Sequence, residues 1–154
     1  MPTHFRSASP SRSGLGLVEV SLALIAIGVL ALVGVPRVGQ NIARHRVDLA
    51  TALVASDLEN AFASAHREGK PIRLVCSCDS GRYQLTDRSG RTVRLTRALA
   101  TDSSYAVEDL AFSATPVDIL PSGTASSVDT ITISTGGYAR RIVMTTSGDV
   151  RILP

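Results

Sequence analysis

Residues 14–19 read Gly14-Leu15-Gly16-Leu17-Val18-Glu19, at the mouth of an apolar run that ends at Pro36. Glu19 is the only charged residue in that run. At about 1.5 Å per residue the run reaches ~31 Å as a helix, enough to span the hydrocarbon layer of a bilayer. An ionised carboxylate inside a membrane helix costs about 2.5–3.5 kcal/mol, so its presence there asks for a partner. The place of Glu19 is therefore more telling than the hydrophobicity around it.

Upstream, Met1 to Ser13 is short, polar and basic, with Arg6, Arg12 and His4, two prolines and no acid. Such a segment reads as a targeting leader rather than as part of a fold. An ordinary secretory signal is cut after its apolar core. Here the core is too long, carries an acid near its start and runs without a break into more helix. A lipoprotein signal is excluded, because no cysteine follows the run closely. A plain signal anchor is the simple alternative.

Past the run, Val38, Ile42, Leu49, Leu53, Val54, Leu58, Ala61, Phe62 and Ala65 recur mostly at three- and four-residue steps. Arg44, Arg46, Asp48, Asp57, Glu59 and Arg67 mostly take the other side. That spacing predicts an amphipathic helix packed on a globular head. Gly69 followed by Pro71 supplies its stop. The whole helix, from Leu15 to about Glu68, would be roughly 80 Å long. Pro36 should bend it, since proline lacks an amide proton and crowds the preceding turn.

Beyond Pro71 the pattern turns to short strands. Residues 72–78, 82–86 and 91–95 are separated by the turn-like Asp79-Ser80-Gly81 and Arg88-Ser89-Gly90. A further strand is expected at 105–112, weakened by its Glu108-Asp109 pair, and residues 116–127 read as a loop. Residues 130–134, a Gly136-Gly137 turn, 138–145, Ser147-Gly148-Asp149 and 150–153 then read as a meander. A long helix followed by a mostly antiparallel sheet is an α+β arrangement.

Charge places little constraint on partners. The chain carries 16 basic and 13 acidic residues, and without Arg6 and Arg12 of the leader the balance falls to +1. Overall basicity is thus no argument for nucleic acid. The charges are nonetheless segregated: residues 72–97 are arginine-rich, residues 98–129 hold five acids and no base, and Arg140, Arg141 and Arg151 follow. This alternation suits contacts between subunits, and equally a solvated surface.

Two cysteines at a two-residue spacing, Cys76 and Cys78, would share one face of a strand with Cα atoms about 6.6 Å apart, near the upper limit for a disulfide. Two separate thiols are the preferred reading, with a disulfide as the alternative. No metal is expected, since neither His45 nor His66 has a spacing that recruits this pair. No nucleophile elbow, phosphate-binding loop or zinc-helix motif is present, so neither a catalytic role nor a cofactor is expected.

Gly14, the apolar Leu15, Glu19 and the apolar helix to Pro36 together resemble the class III signal of type IV pilins and type II secretion pseudopilins. The resemblance implies that a prepilin peptidase cuts between Gly14 and Leu15 on the cytoplasmic side and N-methylates Leu15, where the family prefers phenylalanine. It also implies that Glu19 meets a neighbour's new terminal amine in a staggered filament. A subunit out of register would leave the acid unpaired, so Glu19 acts as a register device. The simple alternative is an interfacial acid that reaches to water.

The head narrows the resemblance. The helix end Ala65-His66-Arg67-Glu68-Gly69-Lys70-Pro71, the strand Leu74-Val75-Cys76, Leu120-Pro121-Ser122-Gly123 before Thr130-Ile131-Thr132-Ile133, and Ser147-Gly148-Asp149-Val150-Arg151-Ile152 resemble, in that order, the GspH/FimT group. The implied organisation is a leader at 1–14, a transmembrane helix at 15–36, its amphipathic half at 37–69 and a β-sheet head at 70–154. The implied fold is type IV pilin-like. The implied setting is a single-pass inner-membrane precursor with a periplasmic head, which joins other pilins or pseudopilins during assembly.

Some members of the group bind DNA through a basic Gly-Arg-x-Arg motif. Here Gly148 and Arg151 match, but Asp149 replaces the first arginine, and an acid there repels phosphate. Arg140, Arg141 and Arg151 are the remaining candidates for DNA contact, and a strand should send Arg140 and Arg141 to opposite faces. A DNA-capturing minor pilin and a membrane-anchored β domain that never polymerises stand as the alternatives.

Overall fold

The computed structural model describes residues 16–153, without the side chains of 32–38. The chain divides into two compact units at the junction of Val38 and Gly39. The element order is α1 (Leu17–Glu68), β1 (Ile72–Ser77), a 3-10 turn (Cys78–Ser80), β2 (Arg82–Asp87), β3 (Val93–Ala98), β4 (Asp109–Phe112), β5 (Val117–Ile119), β6 (Asp129–Thr135), β7 (Tyr138–Met144) and β8 (Val150–Leu153).

In the first unit every described large apolar side chain is exposed, from Leu17 at 85% to Leu30 at 73%. Helical spacing gives this stretch no polar face. Among the described residues no helix is long and apolar enough to cross a membrane. The run read at 15–36 includes residue 15, which lies outside the described residues, and residues 32–36, whose side chains do. The bend expected at Pro36 lies there too.

In the second unit α1 buries one continuous face. Ala43, Val47, Ala50, Val54, Leu58, Ala61 and Ala65 recur at steps of three and four residues and are all buried. Apart from Leu58 the face is built of small and β-branched residues. Ile42 and Leu49, expected on it, remain exposed at 47% and 44%, because they lie on the helix flank. Asp57, expected on the solvent side, is instead buried.

Two antiparallel sheets take the place of the one expected, in the orders β3-β2-β1-β5 and β4-β6-β7-β8. Period-two alternation dictates their inner faces. Ile72 and Leu74 of β1 stand beside Leu85 and Tyr83 of β2, while Ile131 and Ile133 of β6 stand beside Ile142 of β7 and Leu110 of β4. These side chains and the α1 face form one aliphatic core. Burying each of its large members stabilises the fold by about 1.5–3 kcal/mol.

Three boundaries differ from the sequence reading for local reasons. β3 starts at Val93 rather than Arg91 because Asp87 organises a longer turn, its carboxylate accepting from Ser89 Oγ and the Thr92 amide. β4 starts only at Asp109, since residues 102–106 are wound into turns in which the Asp102 carbonyl accepts from the Tyr105 and Ala106 amides. The expected loop at 116–127 contains β5, whose Val117 and Ile119 are fully buried against β1. Three residues are too short a stretch for alternation to stand out among serines and prolines.

Gly136 and Gly137 make the two-residue turn between β6 and β7, both at positive φ of 58° and 77°. Those angles match the tight turn that suits the twist of a hairpin. The turn lies against α1, where a Cβ on Gly136 would come within 3.0 Å of Ala43 Cβ.

Candidate functional site

Gly14 and Leu15, the expected cleavage and methylation residues, lie outside the described residues. Glu19 is exposed in the first turn of α1, and its Oε2 accepts a hydrogen bond from the Gly16 amide at 3.1 Å. An acid three residues into a helix caps one of the four amides that have no partner within it, and favours the positive end of the dipole. Pro36 falls within α1, but its side chain lies outside the described residues.

The helix and the sheets are tied by ion pairs that sequence spacing did not reveal. Asp57 of α1 holds Arg97 of β3 through two hydrogen bonds, at 2.8 and 3.1 Å, and accepts a third from Tyr83 Oη at 2.7 Å. Burial first, and then the Asp57 carboxylate, push the Tyr83 phenol well above its ordinary pKa. The hydrogen bond to Asp57 raises Arg97 in turn. Asp57 sits on the buried side of α1 because three donors from the facing sheet replace water there. Its helical position alone could not show this, since the donors come from residues far along the chain.

A second pair joins α1 to the other sheet. Arg140 of β7 donates to Asp48 at 3.0 Å and to Tyr138 Oη at 2.8 Å. At the helix end Glu68 pairs with Arg94 at 2.8 Å. His45 and His66 are exposed, and His66 Nδ1 lies 3.0 Å from the Pro121 carbonyl oxygen.

The arginines proposed for DNA are not brought together as a set. Arg140 and Arg141 take opposite faces of β7, and Arg140 is engaged by Asp48. Arg141 shares the outer face with Arg151 of β8, which is opposite Val143, but Arg151 is paired with Asp149. Two of the three cations therefore already hold an acid.

The acidic segment 98–129 is also largely consumed within the chain. Asp118 holds Arg73 at 2.7 Å and lies 3.6 Å from Arg88. The Glu108 carboxylate accepts from the Gly136 amide, and Asp102 from the Ser104 amide. Asp129 is fully buried, with Oδ1 accepting from Ser113 Oγ and the Ala114 amide, while Oδ2 has no hydrogen-bond partner among the described residues. Among the described residues the Asp109 carboxylate makes no ion pair.

Cys76 and Cys78 are joined by a disulfide, the reading placed second from sequence. Their Cα atoms are 5.2 Å apart, closer than on a strand, because Cys78 leaves β1 and opens the 3-10 turn. The premise that both cysteines lie on a strand is what fails.

With the geometry in place, comparisons assign the chain. No curated protein matches it by sequence. The crystal structure of the Pseudomonas aeruginosa type IV minor pilin FimU superposes with a TM-score of 0.60 at 13% identity, covering 72% of this chain and 90% of that one. The minor pseudopilin EpsH from the type 2 secretion system of Vibrio cholerae gives 0.57 at 15% identity, with coverages of 70% and 96%. These likenesses establish the pilin-like α+β fold. The family model described as type II transport protein GspH matches residues 50–148, from the buried half of α1 to the turn before β8. The chain belongs to the GspH family.

Proposed function

We propose that this chain is made as a membrane-anchored precursor and enters a type IV pilus or a type II secretion pseudopilus as a minor, structural subunit. The observation that carries the reading is the family match over residues 50–148, set behind a helix start whose described large apolar side chains are all exposed. A membrane or a bundle of like helices would cover them. Prepilin peptidase cuts between Gly14 and Leu15, and Leu15 is N-methylated. The precursor crosses the inner membrane once through 15–36, with its head in the periplasm. Its partners are then the other pilins or pseudopilins of the filament.

Glu19 gives the filament its register. Within an apolar bundle its carboxylate and a neighbour's terminal amine offset one another's burial, and a misplaced subunit leaves both unpaired. The role calls for no catalysis and no cofactor.

Mass spectrometry of the N-terminus, on protein extracted from membranes, tests the reading. The expected chain begins with methylated Leu15. A chain that begins at Met1, or one cut at the far end of the apolar run, would overturn it.

A further inference from the structure

A pocket of about 180 Å³ in the second unit is lined by Gln40, Arg44, Gly136, Gly137 and Tyr138. We infer that it is a docking site for the phosphate of an anionic membrane phospholipid, held chiefly by Arg44. The inference rests on the membrane anchoring proposed above and adds to it a lipid-specific contact.

Arg44 is prepared for an anion. Its guanidinium carbon lies 5.6 Å from the centroid of the Tyr138 ring, which Arg140 also approaches at 5.8 Å. A guanidinium resting on an aromatic face keeps its planar fork of donors available, and that fork matches phosphate oxygens. Of the acids nearby, Asp48 pairs with Arg140, whereas the Glu108 carboxylate is held by the Gly136 amide alone and keeps its charge, which Arg44 has to outweigh. Among the described residues Arg44 forms no ion pair and the Gly137 amide donates no hydrogen bond. Two glycines without side chains leave the pocket open for a tetrahedral head.

Position along the chain selects a lipid over other anions. Gln40 and Arg44 follow Pro36 by four and eight residues, at most ~12 Å of helix. The headgroup layer on each side of a bilayer is about 5–7 Å thick, within reach of an arginine side chain from there. No acid occurs between Glu19 and Asp48, while Arg37, Arg44, His45 and Arg46 do. Basic residues beside an anchor are drawn to whichever leaflet is rich in anionic lipid, and each is worth up to about a fivefold change in affinity there.

The test uses the full chain in phosphatidylcholine vesicles, with or without one third phosphatidylglycerol. Flotation reports insertion, and hydrogen exchange reports the amides of Gly136, Gly137 and Tyr138. Phosphatidylglycerol is expected to slow exchange there about fivefold. Arg44→Ala should remove the effect, Arg44→Lys should keep part of it, and Arg141→Ala, on the outer face of β7, should leave it intact. Insertion without any dependence on phosphatidylglycerol, or a dependence that survives Arg44→Ala, overturns the pocket alone. Equal slowing by inorganic phosphate in phosphatidylcholine vesicles assigns the pocket to a soluble anion and overturns the lipid. A chain that fails to float overturns the anchoring, and the pocket with it.

Discussion

The Glu19 carboxylate and the Gly16 amide are joined across the first turn of α1 at 3.1 Å, so the acid caps the helix that carries it. Under the proposed processing, the amine of Leu15 appears one residue ahead of Gly16. An acid that answers a neighbour's amine is then already held at the helix start, and part of the cost of burying it is met before assembly.

Glu19→Gln separates the two roles, since an amide oxygen still accepts from Gly16 but carries no charge. Glu19→Gln and Glu19→Ala are both expected to be processed and retained in membranes. Both should fall at least about tenfold in incorporation, measured on sheared filaments or by secretion of the system's cargo. Normal incorporation of the Gln variant would mean that Glu19 supplies the cap and not an ion pair.

At Asp57, removing the acid leaves Arg97 and Tyr83 facing an empty site. Asp57→Ala is expected to lower stability by about 2–3 kcal/mol, below the full cost of a broken buried pair because Arg97 is partly exposed. Tyr83→Phe removes one hydrogen bond of the same group and should cost about 1 kcal/mol. Urea midpoints followed by circular dichroism give both values. Equal costs would show that Asp57 contributes through the Tyr83 hydrogen bond alone and that its pair with Arg97 adds no stability.

The contrast between Asp57 and Leu58 explains what could be read from sequence. Leu58 and its partners at steps of three and four announce a buried helix face, because burial of apolar groups follows local periodicity. Burial of Asp57 depends on Arg97 and Tyr83, which sequence spacing does not bring to it. Likewise the strands with clear alternation, β6 and β8, were legible, whereas β5 owes its three residues to pairing with β1. The disulfide turned on where β1 ends. The proposed N-terminal signal rests on Glu19, because a single acid in an apolar run has few physical excuses.

Asp118 makes part of the stability depend on acid. The hydrogen bonds from Arg73 hold its carboxyl below the ordinary carboxylate range, against a smaller opposing effect of burial. Its contribution is therefore full above the unfolded value of about 4 and is lost as pH falls through the lower folded value. Asp118→Asn should be less stable at pH 7 yet show a flatter loss below about pH 4. Parallel acid-unfolding curves for the two proteins would place the acid sensitivity elsewhere.

Gly148 is the backbone position where substitution has least room. Its φ is +81°, and a Cβ there would run into the Gly123 carbonyl as well as approach Phe62 at 3.3 Å. The residue sits in the turn between β7 and β8, where its amide donates to the Thr145 carbonyl at 3.1 Å. Gly148→Ala thus combines left-handed strain with a clash against backbone that cannot rotate away, and about 2–3 kcal/mol of destabilisation is expected. Gly90→Ala is the control: it shares a positive φ of 75° but meets nothing within 4 Å, so it should cost about 1 kcal/mol. If the two variants unfold at the same urea concentration, the loop at Gly123 yields to the new methyl group, and the contact between the two turns contributes nothing to holding β8 in place.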